Sequence, residues 1–328
     1  MKISLLIPVY NAGDFIHKCL KSILNQNTSF EHEVVLVDDG STDKSLEIIK
    51  AYQLEYSNIV LIQQENSGSA IARNTALKHA KGEFLWFIDQ DDFIESDVLS
   101  KIYHILNTDS PEVVLMGWKH INSDGEILSQ TKYENEITDG TSMMKRGLFP
   151  NQLWNKVISS SLMKENGLYF KENILMADDF HMSFRVMFHA QKIVMADFYA
   201  YNWLSNPTSI SNMGGHSHLE KLALDSLLVG SDLERLIDNN HNDNKTIQFH
   251  KWLNKFWFGL FFSLYRFDYD LEFIKRIISE MKMRGVYPVS RSGLACKKSL
   301  FTAIPNSNIF FTICKINRIL KKGGSTQR

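Results

Sequence analysis

The chain has 328 residues, 44% of them hydrophobic and 22% charged, with six Pro and 17 Gly. That composition excludes disordered, collagen-like and low-complexity classes and allows about two domains. The 36 Lys/Arg against 37 Asp/Glu exclude a nucleic-acid binder working through a basic whole-protein field, and three scattered cysteines (Cys19, Cys296, Cys314) give neither a disulfide framework nor zinc-ligand spacing, as expected in a reducing cytoplasm.

Ile3 to Val9 is an apolar run of strand length, ended by Pro8 and the polar stretch Asn11 to Asp14. No small-residue cleavage site follows, so it reads as a buried strand and not as a signal peptide. Phe15, Ile16, Cys19, Leu20, Ile23 and Leu24 fall on one helical face. Val34 to Val37 is a second strand, and after the cap-like Ser41-Thr42-Asp43 a helix carries Leu46 and Ile49. A third strand at Ile59 to Ile62 precedes a helix over Ala70 to Ala80 that stops at Gly82. Phe84 to Ile88 is the fourth strand, the helix after Ser96 has Val98, Leu99, Ile102, Ile105 and Leu106 on one side, and Val113 to Trp118 is the fifth. Continuous apolar strands alternating with helices predict an α/β fold with a mostly parallel sheet covered on both faces. Ligands are then expected outside the carboxyl ends of the strands.

Residues 119–215 are less regular. The pattern predicts a hairpin turn at Ser123-Asp124-Gly125, a helix-strand passage around Trp154, a helix from about Asp178 to Ala190, and strands near Ile193 to Ala196 and Tyr199 to Leu204. From His216 onward the pattern is helical and rich in aromatics, and its longest apolar run, Phe256 to Tyr265, is too short to cross a bilayer. The C-terminal part is basic: Leu271 to Arg328 carries twelve Lys/Arg against two Glu.

Three carboxylates within four residues, Asp89-Gln90-Asp91-Asp92, follow the fourth strand. They repel one another unless a cation or hydrogen-bond donors compensate them, and Mg²⁺ or Mn²⁺ holds such oxygen donors together with substrate phosphate. An acidic loop capping the next helix is the structural alternative. Asp38-Asp39-Gly40-Ser41 ends the second strand and comes to the same sheet edge, where a carboxylate can accept from a base N–H or a ribose hydroxyl; an Asp-Gly turn is the alternative. Asn66-Ser67-Gly68 runs into a helix with Arg73 near its start, an arrangement that favours anionic oxygens.

Taken in order, Pro8-Val9-Tyr10-Asn11, Val37-Asp38-Asp39-Gly40-Ser41, Asn66-Ser67-Gly68 with Ala72-Arg73-Asn74, and Asp89-Gln90-Asp91-Asp92 resemble the family 2 glycosyltransferases with the GT-A fold, over about the first 120 residues. The resemblance implies an inverting enzyme that uses a UDP-sugar and Mg²⁺ or Mn²⁺. It also implies a donor site of Pro8, Tyr10 and Asn11, with Tyr10 against the nucleobase, Asp39 or Asp38 at uracil or ribose, Asn66, Gly68 and Arg73 near the nucleotide, and Asp89 and Asp91 as the metal and ribose pair, Asp92 being the alternative ligand. The change of pattern along the chain, read with that resemblance, divides it into a catalytic domain over 1–215 (nucleotide-sugar half 1–118, acceptor and base half 119–215) and a helical region over 216–328. Trp154-Asn155-Lys156 resembles a segment of bacterial surface-polysaccharide members and implies an acceptor-side role. The base is expected in Met176-Ala177-Asp178-Asp179-Phe180, where many members have Glu-Asp; Asp179 aligns with the usual base and the role of Asp178 stays open. Chemically, such a carboxylate accepts the proton of a sugar hydroxyl, a poor nucleophile. Tyr201-Asn202-Trp203 and Pro207 to Ser211 resemble an aromatic strand and loop that close the donor site in some relatives.

His181 and His189, eight residues apart on one helix, do not form a metal pair. Lys297 to Arg328 has seven basic residues, no acid and interleaved Phe and Ile, which suits either an anionic membrane surface or a packed terminal helix. The expected partners are therefore a UDP-sugar, a glycan or lipid-linked acceptor of capsule or lipopolysaccharide type, and the cytoplasmic face of a membrane. A non-catalytic sugar-nucleotide or glycan-binding protein is the other class, and a sugar nucleotidyltransferase is disfavoured because Pro8 to Asn11 has no Gly-rich basic loop.

Overall fold

The computed structural model describes residues 2–174, 177–206, 216–240, 243–267 and 269–287. The chain divides into two compact units, Met1–Ser209 and Ile210–Arg328.

The first unit runs β1 (Ile3–Val9), α1 (Ile16–Leu24), β2 (His32–Asp38), α2 (Ser45–Glu55), β3 (Ile59–Gln63), α3 (Ser69–His79), β4 (Phe84–Phe87), β5 (Phe93–Ile94) and α4 (Val98–Asp109). It continues with β6 (Val113–Ile121), β7 (Ile127–Thr131), β8 (Glu136–Thr138), α5 (Gly140–Lys145), β9 (Lys156–Ser159), α6 (Ser160–Glu165), α7 (Asp178–His189) and β10 (Ile193–Leu204). Ten strands make one sheet in the order β3-β2-β1-β4-β9-β6-β10-β5, with β7 on β6 and β8 on β10. β1 to β4, β6 and β10 share one direction, while β9 lies antiparallel between β4 and β6. The sheet is mixed and mostly parallel, as the alternating pattern predicts.

The apolar strands are buried on both faces because helices cover both. One core face joins Ile3, Leu5 and Ile7 of β1 and Trp86 of β4 to Leu20 of α1 and Leu99 of α4. The polar start of α2 is held by Asp43, whose carboxylate accepts from Ser45 N (2.9 Å) and Gly13 N (2.8 Å), so the loops after β1 and β2 are tied together. Two local expectations change. The passage around Trp154 is a turn leading into β9, with α6 only afterwards, and the two strands expected in 193–204 are one strand whose register against β6 shifts between Met195 and Tyr199 and again before Tyr201. Such a bulge re-aims side chains without ending the pairing.

In the second unit α8 (His216–Asp238), α9 (Asp243–Arg266) and α10 (Leu271–Met283) pack through Leu233, Ile237, Phe249, Trp257 and Ile274. Gly230 of α8 admits the Trp257 ring: a Cβ there would lie 2.4 Å from it. Among the described residues no helix is long and apolar enough to cross a membrane, and Phe256 to Tyr265 forms part of α9. Lys297 to Arg328 lies outside the described residues, as does Pro207 to Ser211.

His250 of α9 sits between two acids of α8, with Nδ1 at 3.4 Å from Glu234 and Nε2 at 3.7 Å from Asp238. The hydrogen bond with Glu234 raises its pKa against the opposing effect of burial, and both acids add to the rise. A raised histidine contributes stability that is complete below its unfolded pKa of about 6.5 and is lost as pH rises through the folded value. Amide hydrogen-exchange protection in α8 and α9, corrected for intrinsic rate, is therefore expected to fall as pH rises above about 6.5, and His250→Gln to flatten that dependence.

Candidate active site

The carboxyl ends of β1, β2 and β4 lie side by side, with Val9 opposite Asp38 in parallel register, and the expected donor-site residues collect there. Tyr10 is 44% exposed at the end of β1, and Pro8 just inside it is half-buried. Tyr10 N–H donates to Gln90 Oε1 (2.7 Å) and Tyr10 C=O accepts from Gln90 Nε2 (3.1 Å), so the middle of the acidic loop is clamped to β1. Asn11 takes a left-handed conformation (φ 49°), which Asn tolerates, and its Oδ1 accepts from Thr42 N (2.8 Å).

The two acids that end β2 have different surroundings. Asp39 is buried and its carboxylate accepts three hydrogen bonds, from Gln64 Nε2 (2.7 Å), Ser67 N (2.9 Å) and Gly68 N (2.8 Å). It shapes the turn that includes the exposed Asn66, and Gly68 supplies the positive φ (90°) that this turn requires. Asp38 is equally buried, yet its Oδ1 has no donor among the described residues. An unmatched buried oxygen is costly unless a ligand donor meets it. Asp38 is thus the one of the pair with an acceptor to offer.

Arg73, on the second turn of α3, organises the acids. Its guanidinium donates to Asp89 (2.8 Å) and to Asp178 (2.5 Å), and lies 3.8 Å from Asp179. The Phe170 ring flanks it at 5.4 Å, and Phe170 is fixed by a two-way hydrogen bond with Asn74 (2.8 and 2.9 Å). Burial works to discharge Arg73, and the three carboxylates overcome it and raise its pKa. Asp178 and Asp179 open α7 directly after Ala177, which adopts φ 64°. That left-handed turn costs an alanine of order 1 kcal/mol and points the first turn of α7 at Arg73. Burial raises the Asp179 pKa to about 7, with Asp178 and Asp89 adding to the rise while Arg73 and the Leu153 N–H oppose it.

The last acid of the loop is a fastener. Asp92 is buried and accepts from the Tyr201 hydroxyl (2.8 Å) and from Leu204 N (2.8 Å), and the same hydroxyl accepts from Asp89 N at 3.0 Å. Both Asp92 oxygens are taken inside the protein, while Asp89 and Asp91 remain partly exposed. Sequence reasoning did not anticipate this lock; its signal is the buried aromatic Tyr201 on the bulged strand. Tyr201→Phe removes a hydrogen bond to a buried carboxylate and is expected to cost about 2 kcal/mol. Thermal unfolding should report that as a Tm lower by about 6 °C.

The donor set fits a hard divalent cation. Burial and the neighbouring Asp89 raise the Asp91 pKa, even though Asn206 Nδ2 donates to it at 2.9 Å. One Asp89 oxygen is held by Arg73, so a single guanidinium balances only part of the negative charge. A pyrophosphate is repelled by such a cluster unless a cation intervenes, and carboxylate oxygens are the ligands Mg²⁺ and Mn²⁺ prefer.

Trp154, Asn155 and Lys156 lie beneath this surface. Trp154 stacks on Tyr201 (centroids 4.5 Å) and its carbonyl accepts from Trp86 Nε1 (2.6 Å); Asn155 and Lys156 are fully buried. The acceptor-side expectation thus falls on Trp154, Asn155 and Lys156, which are 7%, 0% and 0% exposed. His181 is buried in α7, and His189 ends that helix.

The family model described as Glycosyl transferase family 2 matches residues 4–172. The poly(ribitol-phosphate) beta-glucosyltransferase of Bacillus spizizenii is 35% identical over 210 residues, which is 62% of this chain and 32% of that protein. The chain therefore spans about a third of that relative's length. Among solved structures, residues 1–349 of TarS from S. aureus in complex with UDP superpose with a TM-score of 0.74 at 22% identity, covering 98% of this chain and 92% of that one. The mannosyltransferase PcManGT from Pyrobaculum calidifontis, in complex with GDP-Man and Mn²⁺, gives a TM-score of 0.56 at 16% identity over 98% of this chain and 88% of that one. At these identities the structural likeness speaks for the GT-A fold.

Proposed function

Because the chain belongs to glycosyl transferase family 2, we propose that it is an inverting glycosyltransferase that moves a hexose or N-acetylhexosamine from a UDP-sugar to a hydroxyl of a surface-polymer acceptor, forming a β-linkage. The observation that carries this reading is Arg73, which joins Asp89 of the acidic loop to Asp178 and Asp179 of α7 at one end of the sheet. Donor-side acids and a candidate base thus share one guanidinium.

In this reading Asp38 accepts a hydrogen bond from the nucleobase or ribose, and the exposed Tyr10 lies beside the base. Asp39, Asn66, Gly68 and Asn11 frame that pocket. Asp91 and the Asp89 oxygen left over by Arg73 would hold Mg²⁺ or Mn²⁺. Such a cation, when bound, offsets charge developing on the departing UDP. Arg73 adds its own fixed positive charge near the leaving group. Asp179, the acid with a pKa near neutrality, takes the acceptor hydroxyl proton as the oxygen attacks the anomeric carbon. A single displacement from an α-linked donor gives the β-product.

The names of the relatives support the choice of donor and linkage: one acts on poly(ribitol-phosphate) with β-glucosyl transfer, and another was crystallised with UDP. An acceptor carried at a membrane surface agrees with the basic, apolar composition of Lys297 to Arg328. The test is UDP release from a panel of UDP-sugars, with and without glycan or polyol-phosphate acceptor. Release that needs one donor and is accelerated by acceptor supports the enzyme; UDP-sugar binding without release under any acceptor makes it a binding protein.

A further inference from the structure

Lys156 is fully buried at the start of β9, and an ammonium there must be matched by acceptors or it destabilises the fold. It is matched. Nζ donates to Pro150 C=O (2.8 Å), to Gln152 C=O, to Asn155 Oδ1 (3.0 Å) and, more weakly, to Ser183 Oγ (3.3 Å). A neutral amine has two N–H donors and an ammonium three, so three carbonyl-type acceptors favour the charged form. Burial acts the other way and lowers the Lys156 pKa to about 7, with Asp179 opposing the fall.

What this cage holds is the base. The carbonyls of Pro150 and Gln152 lie in the turn whose next residue, Leu153, directs its N–H at Asp179 Oδ2 (3.4 Å). That is the only hydrogen bond to the Asp179 carboxylate among the described residues, its Oδ1 having none. Ser183 stands one turn beyond Asp179 on α7, and its hydroxyl donates to Gln152 C=O (3.2 Å). One cation therefore ties the turn to β9 and to the helix that carries Asp179. We propose that Lys156 is a positioning residue for the proton-accepting carboxylate: it fixes the 150–153 turn against α7 and stations positive charge behind Asp179. The inference rests on Asp179 being the base.

The test is Lys156→Met in the full chain, with the pH profile of kcat/KM for transfer and calorimetric UDP affinity measured beside wild type and Asp179→Asn. A misaligned base is expected to lower kcat about 10- to 100-fold. UDP affinity should stay within about twofold, because the nucleotide site does not include this turn. Loss of the cation makes the Asp179 carboxylate harder to form, so the acidic limb of the profile should move to higher pH. A lysine that only supports the fold would lower activity and leave that limb in place, and this result overturns the inference. Should Lys156→Met not fold, Ser183→Ala, which keeps the cage and drops its contact with α7, is expected to lower kcat about 3- to 10-fold at unchanged UDP affinity; wild-type kcat overturns the proposal. If Asp179→Asn keeps turnover, the base assignment fails and this inference with it. An inactive Asp179→Asn beside a wild-type-like Lys156→Met defeats this inference alone.

Discussion

Replacing Asp179 with Asn is expected to lower turnover by about 10²- to 10⁴-fold, the usual contribution of a positioned general base, while UDP affinity stays near that of wild type. The substitution is nearly isosteric. An Asn oxygen can still accept from Leu153 N–H, and Arg73 keeps Asp89 and Asp178 as its close partners at 2.8 and 2.5 Å. What is lost is the ability to take a proton.

Stability separates this outcome from damage to the fold. The folded Asp179 pKa, raised to about 7 by burial, lies above the unfolded value of about 3.9. Its contribution to stability is complete below the unfolded value and is lost as pH rises through the folded one, so above pH 7 the ionised carboxylate weakens the fold. Asp179→Asn should be at least as stable as wild type at pH 8, and inactive. In wild type the same titration requires kcat/KM to rise with pH through about 7 on its acidic side. A variant that is inactive and also melts well below wild type at pH 8 would point to a structural role for Asp179.

The second large effect belongs to Asp91. Asp91→Asn is expected to reduce metal-dependent transfer by at least about 10³-fold, since one of two carboxylate ligands is removed and with it the hold on the cation that would offset phosphate charge. Charge arithmetic supplies a sharper sign. Burial, and after it the neighbouring Asp89, raise the pKa of wild-type Asp91, and a pyrophosphate approaching without a cation meets the negative charge of the pair. Asp91→Asn relieves it, so metal-free UDP affinity should equal or exceed wild type while the gain from Mn²⁺ disappears. A purely structural Asp91 would lower both affinities together. Activity against Mn²⁺ concentration and calorimetry of UDP with and without metal read the two halves of the prediction.

The first four parallel strands, the helices between them and the gathering of Asp38, Asp89 and Asp91 at one edge were legible in the sequence, because each rests on local hydrophobic pattern and on the direction of parallel strands. The antiparallel direction and central place of β9, the strand of the passage around Trp154, were not. Its four residues, Lys-Val-Ile-Ser, are all buried, and a lysine that opens a central strand contradicts local pattern until its carbonyl cage is seen. Asp38 and Asp39 are adjacent and chemically identical, so only the donors of the 64–68 turn distinguish the acid that builds the loop from the acid with an oxygen to spare. The role of Asp92 likewise depends on Tyr201, 109 positions away, and the link from Arg73 to Asp178 spans 105. Pairings at that range come from the assembled sheet and the helices on it, and leave no trace in a window of neighbouring residues.

If the crowded carboxylates after β4 serve a nucleoside diphosphate through a cation, nucleotide affinity depends on metal. Calorimetric titration of UDP into the wild-type chain, once with Mn²⁺ and once with excess chelator, asks this directly. Affinity at least about tenfold tighter with Mn²⁺, a gain of about 1.4 kcal/mol or more, is expected; equal affinity in the two titrations would show that the acids do not act through a cation.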